Sequence, residues 1–209
     1  MVTQVPVQGV FAENTYFDID DKTKHGFLID PGAQGPELAD LIRRNGWTID
    51  GILLTHGHFD HFGAVEYLVR EFGMPVYAYE NSAEYLMDPQ LNLSLPSGSR
   101  PMTVPDFIPL RDGDTVHSDK APSISLEVHF TPGHARNAVY FYDPNEKVAF
   151  VGDTIFQGGP GTSGYPGGNE RQLMESIGKI LSLPDDTTLL SGHSAPTTVG
   201  EEKPRYRFR

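Results

Sequence analysis

The sequence predicts a layered α/β or α+β domain, because strand patterns and helix patterns alternate along the chain. Short apolar runs that stop at glycine, proline or polar residues indicate buried strands. Segments with apolar residues three and four positions apart indicate helices that cover those strands. A chain of 209 residues is long enough for a sizeable core, and we expect one domain over residues 1–209.

Seven strands are predicted from apolar runs and from one stretch of alternating residues. The run at 51–55 is almost wholly apolar, whereas apolar side chains occupy every second position between Ile124 and Phe130. The predicted strands cover residues 26–30, 51–55, 76–79, 124–130, 138–142, 147–152 and 188–191.

Three helices are predicted from apolar faces and from signals at their ends. Gly46 and Gly73 follow the first two faces, and glycine readily adopts the left-handed conformation that ends helices. Asn169, with Gln172 three residues later, is typical of the start of the third helix. The apolar faces consist of Leu38, Leu41 and Ile42; of Val65, Leu68, Val69 and Phe72; and of Leu173, Ile177 and Leu181.

The stretch 88–106 shows little periodicity and contains four prolines, at positions 89, 96, 101 and 105. Loops of this length are uncommon in compact domains and often act as lids or binding loops. A binding loop and a simple excursion over the surface both remain open from the sequence.

Composition and charge exclude several classes of function. The formal net charge of −12 disfavours nucleic acid, because an acidic surface repels the phosphate backbone. No apolar run approaches the length of a membrane span, and the N-terminus lacks the pattern of a secretory signal. The absence of cysteine excludes disulfides and thiolate ligands. We therefore expect a cytoplasmic protein with a small-molecule substrate and without a nucleic-acid or membrane partner. The sequence does not indicate the oligomeric state.

Four potential metal ligands lie within six residues, and they are His56, His58, Asp60 and His61. Imidazole and carboxylate groups that converge on one point are typical ligands of zinc and related ions. These residues directly follow the predicted strand 51–55, and we expect Gly57 to let the backbone turn tightly between them. The sequence therefore predicts a metal site at this strand end.

Three later residues also follow predicted strands, as strand-end ligands should. They are His134, Asp153 and His193, and a glycine precedes each of them, which gives the backbone room to bend. The remaining histidines, His25, His117 and His129, lie among polar residues or on the polar face of a strand. We expect these three not to bind metal.

With these residues in place, the chain resembles the metallo-β-lactamase superfamily. The resemblance, which includes the motif at 55–61 and then His134, Asp153 and His193 in that order, covers residues ~25–195, nearly the whole chain. Segments 28–32, 130–134, 152–156 and 200–203 are similar to those of the small glyoxalase II-like (hydroxyacylglutathione hydrolase-like) branch. The resemblance implies an αββα sandwich with the metal site at the edge of the sheets.

The resemblance also implies two divalent metal ions, with zinc expected and iron or manganese as alternatives. It assigns the first ion to His56, His58 and His134, and the second to Asp60, His61 and His193. Asp153 would bridge both ions, and a metal-bridging hydroxide would be the nucleophile, which makes Asp60 and Asp153 the expected catalytic residues. Asp30 matches a position directly behind the ligands. The Gly-x-Ser-x-Gly pattern of serine hydrolases is absent.

Departures from the family pattern concern the substrate. Arg136 adds a cation after His134, which either binds a carboxylate or lies in solvent. Asn137 stands where glycine is usual, and asparagine tolerates positive φ. Residues 161–164 replace a segment in which the branch usually carries arginine and aspartate. Arg136, Asn137 and Tyr165 are the candidate substrate contacts.

The C-terminal part of the chain also departs from larger relatives. The chain ends soon after His193, and we expect no helical domain of the kind that binds glutathione in larger glyoxalase II enzymes. The basic residues Lys203, Arg205, Arg207 and Arg209 are expected to form a disordered end.

The leading functional prediction is hydrolysis of a thioester, such as an S-acylglutathione, or of a related ester or lactone. The alternative is an oxidoreductase that resembles persulfide dioxygenases, which hold one iron through the equivalents of His56, His134 and Asp153. A binding module without catalysis is the third hypothesis, and it is disfavoured because none of the expected ligands is missing.

Overall fold

The computed structural model describes residues 1–206 and contains two six-stranded sheets. The first sheet consists, in spatial order, of β1 (Val2–Gln8), β2 (Ala12–Ile19), β3 (His25–Ile29), β4 (Thr48–Leu53), β5 (Val76–Tyr79) and β6 (Ile108–Leu110). The second consists of β7 (Thr115–His117), β8 (Ser125–Phe130), β9 (Val139–Asp143), β10 (Val148–Gly152), β13 (Thr188–Ser191) and β14 (Thr197–Thr198). A separate small pair is formed by β11 (Ile155–Phe156) and β12 (Gly159–Pro160).

Five α-helices and two short 3-10 helices complete the described fold. The α-helices are α1 (Gly35–Asn45), α2 (Val65–Phe72), α3 (Ala83–Leu86), α4 (Glu170–Ile180) and α5 (Val199–Glu202). The 3-10 helices are Phe59–His61 and Lys203–Tyr206. No helix among residues 1–206 has the length and apolarity that crossing a bilayer requires.

Side chains on opposite faces of the first sheet enter different apolar layers, because successive residues of a strand point to opposite sides. Phe17 and Leu28 pack in one cluster with residues of α1 and α2. Phe27 and Ile29 pack in another cluster with residues of the second sheet, including Phe141. The outer face of the second sheet packs against α4. The layers therefore run helix, sheet, sheet, helix, which confirms the expected αββα sandwich.

The predicted strands and helices are all present. Strands 76–79 and 188–191 have the predicted bounds, and the bounds of the others shift by at most three residues. Gly46 and Gly73 end α1 and α2 in the left-handed region, with φ of 64° and 68°. Asn169 accepts a hydrogen bond from the Gln172 backbone N–H at 3.0 Å, as a helix cap should.

The N-terminal hairpin of β1 and β2 was not predicted. From Thr15 to Ile19 every residue of β2 is buried, so the strand has no alternation between apolar and polar positions. Buried polar residues such as Glu13 and Asp18 also interrupt its apolar run. The pattern of apolar and polar residues therefore does not predict this strand.

The expectation of a disordered basic end is wrong for residues 203–206, which form a 3-10 helix. Lys203 Nζ lies 2.6 Å from Asp185 Oδ1, and Arg205 Nε lies 3.2 Å from Glu202 Oε2. These ion pairs hold both basic residues against acidic neighbours. Arg207 and Arg209 lie outside the described residues.

Candidate metal centre

The structure brings all seven predicted ligands together where four strands end. His56 and His58 follow β4, and Asp60 and His61 lie in the 3-10 helix that comes next. The other three, His134, Asp153 and His193, follow β8, β10 and β13 of the second sheet. The site therefore joins the two sheets.

The first cluster consists of three buried imidazoles, those of His56, His58 and His134. His58 Nδ1 lies 3.1 Å from His56 Nε2 and 2.9 Å from His134 Nε2. Nitrogen ligands of a tetrahedral ion, each about 2.0–2.1 Å from it, lie about 3.3 Å from one another. The three nitrogens are therefore spaced closely enough to share one zinc-sized ion.

The second cluster consists of Asp60, His61 and His193, and Asp153 lies between the two clusters. His193 Nε2 lies 3.3 Å from Asp60 Oδ2. Asp153 Oδ2 lies 3.4 Å from His193 Nε2 and 3.6 Å from His134 Nε2, and its Oδ1 lies 3.5 Å from His61 Nε2. One carboxylate thus contacts imidazoles of both clusters.

Backbone carbonyls hold the ring nitrogens that face away from the clusters. His134 Nδ1 lies 2.7 Å from the Thr162 carbonyl oxygen, and His193 Nδ1 lies 2.6 Å from that of Ala12. A nitrogen that donates to a carbonyl carries the ring proton, so the lone pair is on Nε2. In both residues Nε2 faces the clusters.

Asp30 lies behind the second cluster and links it to the start of the metal motif. Its Oδ2 lies 3.0 Å from His61 Nδ1, and its Oδ1 accepts the Thr55 backbone N–H at 2.8 Å. The Asp30 backbone is left-handed, with φ of 47°, a conformation that aspartate adopts more readily than most residues. Asp30 therefore fixes the orientation of His61.

Glu13 lies one layer further out and was missed by sequence analysis. Its Oε1 lies 3.9 Å from His61 Nδ1, and its Oε2 accepts a hydrogen bond from Thr15 Oγ1 at 3.1 Å. Burial raises the pKa of the Glu13 carboxyl well above its usual range. Glu13 lies in β2, and because this strand was not predicted from the sequence, Glu13 was not predicted as part of the site.

Burial and neighbouring imidazoles keep the first cluster neutral. Burial lowers the pKa of His56 well below its usual value and the pKa of His58 to about 3. Burial likewise lowers the pKa of His134. Neutral imidazole is the form that binds a metal ion.

Opposing effects act on the two carboxyls of the site. Burial favours their neutral form, but the surrounding imidazoles outweigh it and hold the pKa of Asp60 and Asp153 below the usual range. Burial lowers the pKa of His61 and His193, but the carboxylates beside them outweigh it and raise the pKa of both. The site therefore presents neutral imidazoles in the first cluster and imidazoles paired with ionised carboxylates in the second.

Two buried atoms show that the residues fit a cation. Among residues 1–206, His61 Nε2 and Asp153 Oδ1 have no hydrogen-bond partner. Such atoms are uncommon, because a buried polar group without a partner costs about 1–3 kcal/mol. A cation between these atoms would supply the missing interaction.

Two glycines near the ligands are required by close packing. A Cβ on Gly57 would lie 2.4 Å from Tyr85 Cβ of α3, and Gly57 does not have positive φ. A Cβ on Gly192 would lie 2.5 Å from His61 Cε1 and 2.6 Å from Asp153 Oδ1. Glycine is therefore required at position 57 by its close contact with Tyr85, and not by a positive φ in a tight turn.

A cavity of about 620 Å³ opens onto the two clusters. We call the ligand side chains at its base the floor: His58, Asp60, His134, Asp153 and His193. We call the remaining lining residues the wall: Phe11, Ala12, Leu93, Phe156, Pro160, Gly161, Thr162 and Tyr165. The ring centroid of Tyr165 lies 5.7 Å from that of His58. Substrate contact by Tyr165 stays a prediction.

Arg136 and Asn137 do not line this cavity, contrary to expectation. Arg136 pairs with Glu84 and borders a separate cavity of about 450 Å³. Asn137 is buried and donates a hydrogen bond to Ser82 Oγ at 2.9 Å. The φ of Asn137 is not positive. In the loop between β8 and β9, the residue with positive φ is Gly133, at 139°. The glycine usual in the family is therefore not needed here for backbone reasons.

The stretch 88–106 contributes to the wall through Leu93. The buried side chain of Asn92 donates to the Tyr85 and Met102 carbonyls at 3.1 and 2.9 Å. The Phe59 backbone N–H donates to the Asn92 carbonyl at 2.9 Å. The loop is therefore hydrogen-bonded to the segment that carries the proposed metal ligands. This favours the interpretation as a binding loop over a simple excursion across the surface.

The hairpin of β1 and β2 supplies further residues that sequence analysis missed. Phe11 lies in the wall, and the Asn14 side chain donates to the Ser191 and Ser194 carbonyls at 3.0 and 2.8 Å. Tyr16 Oη also donates to the Ser191 carbonyl, at 2.7 Å. These bonds fix the segment that carries His193. No pattern in the sequence indicates these roles, because polar residues at 13–15 and 18 interrupt the apolar residues of the strand.

The three histidines expected not to bind metal lie outside both clusters. His25 Nδ1 lies 2.8 Å from Asp50 Oδ1. His129 stacks on Tyr140, with ring centroids 4.6 Å apart. His117 is exposed on the edge strand β7.

An αββα sandwich with clustered imidazoles and carboxylates where its strands end is the structure of a metal-binding hydrolase. The family model of the metallo-beta-lactamase superfamily matches residues 9–193, and the chain belongs to that superfamily.

Two relatives match over almost their full length. The chain is 36% identical over 206 residues to probable metallo-hydrolase YqgX of Bacillus subtilis (strain 168), covering 98% of this chain and 95% of the relative. It is 33% identical over 207 residues to hydroxyacylglutathione hydrolase GloC of Haemophilus influenzae, covering 95% and 93%.

Two solved structures are also similar. The crystal structure of BLEG-1 B3 metallo-beta-lactamase has a TM-score of 0.91 at 35% identity and covers 100% of this chain and 99% of that one. The crystal structure of TTHA1623 in a di-iron-bound form has a TM-score of 0.86 at 32% identity and covers 96% of each chain.

Proposed function

We propose that this protein hydrolyses a thioester, such as an S-acylglutathione, or a related ester or lactone, at a site for two divalent metal ions. The observation that carries the proposal is the position of Asp153, whose carboxylate contacts imidazoles of both clusters. A carboxylate placed between two groups of ligands suits a pair of adjacent cations better than a single one.

Seven residues are proposed to hold the ions. The first ion would be held by His56, His58 and His134, the second by Asp60, His61 and His193, and both by Asp153. Two adjacent cations lower the pKa of water towards neutrality and stabilise the oxyanion that forms in acyl transfer. Zinc suits this set of nitrogen and oxygen ligands, and the di-iron form of TTHA1623 keeps iron as an alternative.

The protein's own residues orient the ligands and the substrate. Asp30 and the Thr162 and Ala12 carbonyls hold the outer nitrogens of three of the histidines, which are His61, His134 and His193. In the wall, Thr162 and Tyr165 carry hydroxyl groups and line the space next to the floor. We propose that these hydroxyls orient a small-molecule substrate, while the apolar wall excludes water. A cytoplasmic location without nucleic-acid or membrane partners belongs to the same proposal.

The name of GloC supports the thioester assignment, because that relative is a hydroxyacylglutathione hydrolase. The name of YqgX supports hydrolysis without specifying a substrate. A dioxygenase with one iron would use His56, His134 and Asp153, and would leave the second cluster without a metal role.

The test combines metal analysis with an activity panel. Protein purified without added metal is expected to contain two ions per chain and to hydrolyse a thioester, ester or lactone. Removal of the metal with a chelator should abolish turnover, and adding it back should restore it. One iron per chain with oxygen uptake on a persulfide would favour the dioxygenase, and no metal-dependent turnover would leave a binding module.

A further inference from the structure

The wall of the cavity is largely apolar, apart from the hydroxyl groups of Thr162 and Tyr165, whereas the floor is polar. Phe11, Leu93, Phe156 and Tyr165 supply its large side chains. Phe11 and Tyr165 are 45% and 43% exposed, so both aromatic side chains present apolar surface to solvent beside the floor. Exposed apolar groups that border a cavity are typical of surfaces that receive an apolar ligand.

The backbone of Leu93 shows that its place in the wall is maintained at a cost. Its φ is 69°, in the left-handed region, which is uncommon for leucine. Buried Asn92 and Ser94 on either side hold the turn, and the Ser94 backbone N–H donates to Asn92 Oδ1 at 3.0 Å. Strain of this kind persists where surrounding structure fixes it, often at ligand sites.

Among residues 1–206, no lysine or arginine lines the cavity. Arg136, which the sequence placed near the metals, is instead paired with Glu84 and borders the separate cavity. The net charge of −12 adds no long-range attraction for anions. The glutathione part of a glutathione thioester carries carboxylates. The two ions proposed at the floor would bind the reacting thioester group, and the wall offers the carboxylates no cationic partner, so carboxylates that leave water there bind poorly.

We propose that this cavity selects thioesters or esters whose acyl and leaving groups are uncharged and apolar, and that it disfavours glutathione thioesters. The inference rests on the proposed hydrolytic function and narrows its substrate class: it keeps thioester or ester hydrolysis and replaces the S-acylglutathione given there as an example. In the reaction, water adds its oxygen to the acyl carbon and the carbon–sulfur bond breaks. The electron pair goes to sulfur, which takes a proton, so the products are a carboxylic acid and a thiol.

The first measurement is binding, which does not depend on turnover. S-hexyl-N-acetylcysteamine and S-hexylglutathione share the alkyl chain but differ in charge, and neither thioether is hydrolysed. Titration calorimetry with the metal-bound protein measures both affinities. S-hexyl-N-acetylcysteamine should bind at least about tenfold more tightly than S-hexylglutathione, because the carboxylates of S-hexylglutathione find no charged partner in the wall.

The second measurement is hydrolysis of matched thioesters. At equal acyl length, N-acetylcysteamine thioesters should have a higher kcat/KM than glutathione thioesters. From acetyl to hexanoyl, kcat/KM should rise about threefold for each methylene that the wall covers.

Two lysine substitutions on the same hairpin tip distinguish the wall from general charge. Phe11→Lys places a cation in the wall, whereas Val10→Lys adds the same charge beside it at a residue that is 50% exposed and does not line the cavity. Phe11→Lys should reduce the preference for the uncharged ligand by about tenfold, because a charged partner now compensates a carboxylate. Val10→Lys should leave the preference within about twofold.

Each outcome decides one of the two proposals. Equal or tighter binding of S-hexylglutathione, or equal effects of the two lysine variants, would overturn the apolar selectivity. Selective binding of the uncharged thioether without turnover of any thioester, ester or lactone would preserve the selectivity and refute the hydrolytic function.

Discussion

The floor and the wall of the cavity are built in different ways. The floor comes from strand ends and a 3-10 turn, and its side chains are mostly buried, as His58 is at 2% exposure. The wall comes largely from the hairpin tip at Phe11 and from the loops that carry Leu93 and Tyr165, and its aromatic rings are partly exposed. The difference fits the proposed division of roles, in which residues fixed by the sheets bind the metal ions and residues on loops select the substrate.

The largest expected effect is on the floor, at the carboxylate shared by the two clusters. Asp153→Asn keeps the shape of the side chain and removes its charge, so both clusters lose the carboxylate that contacts their imidazoles and is proposed to bind both ions. Turnover should fall by about 100-fold or more, as expected when a metal site loses a ligand's charge. Steady-state kinetics and elemental analysis measure the effect, and an unchanged circular dichroism spectrum shows that the fold is intact. Full activity with two bound ions would contradict the shared role.

A second test crowds the floor without changing any ligand. Gly192→Ala puts a methyl group within 2.6 Å of both His61 and Asp153, so these side chains must move. We expect metal content and turnover to fall by about tenfold or more, since displacement of a catalytic group by about 1 Å costs about that much or more.

The matched control for crowding is Gly178→Ala in α4, where an added Cβ meets open space. It should raise the free energy of unfolding by about 0.5–1 kcal/mol, because alanine favours a helix interior. Normal metal content and activity in Gly192→Ala would show that the floor tolerates more movement than its packing indicates.

A third test addresses the layer behind the floor. Asp30→Asn retains a residue that tolerates left-handed φ, but it removes the charge that holds His61 Nδ1. Affinity for the second ion should fall about 10- to 100-fold, as is usual when the carboxylate behind a ligand histidine is lost. Metal titration followed by calorimetry measures this change.

The control is Asp50→Asn, which alters a similar contact outside the site, because Asp50 Oδ1 lies 2.8 Å from His25 Nδ1. Metal affinity should be unchanged in this variant. Equal losses in Asp30→Asn and Asp50→Asn would mean that the effect comes from general destabilisation.

The floor of the cavity could be predicted from the sequence to a larger extent than the wall. The clustering of the proposed ligands was predictable because they follow strands with a clear apolar pattern. Asp153 follows β10 directly, whereas Asp60 and His61 lie in the 3-10 helix that comes after β4. The αββα layers followed from the family resemblance carried by those ligands. Asp30 was also assigned a place behind the ligands, and its contact with His61 agrees with that place.

The wall was not predictable, for physical reasons. Phe11 lies at the tip of a hairpin whose second strand is buried on both faces and shows no alternation. Leu93 reaches the cavity through hydrogen bonds of Asn92 to residues distant in the chain, which no local pattern records. Arg136 was assigned from its nearness to His134 in sequence, but its side chain turns away to pair with Glu84.

The smallest expected effect concerns the wall and separates the side chain of Leu93 from its strained backbone. Leu93→Ala and Leu93→Gly both remove the apolar contact, so each should raise KM for an apolar thioester by about three- to tenfold. Glycine adopts φ of 69° without penalty, so Leu93→Gly should be more stable than Leu93→Ala by about 1 kcal/mol in thermal unfolding. Leu95→Ala, at an exposed leucine that does not line the cavity, should leave KM unchanged. A KM effect in Leu93→Gly alone would mean that the strained backbone, and not the side chain, shapes the wall.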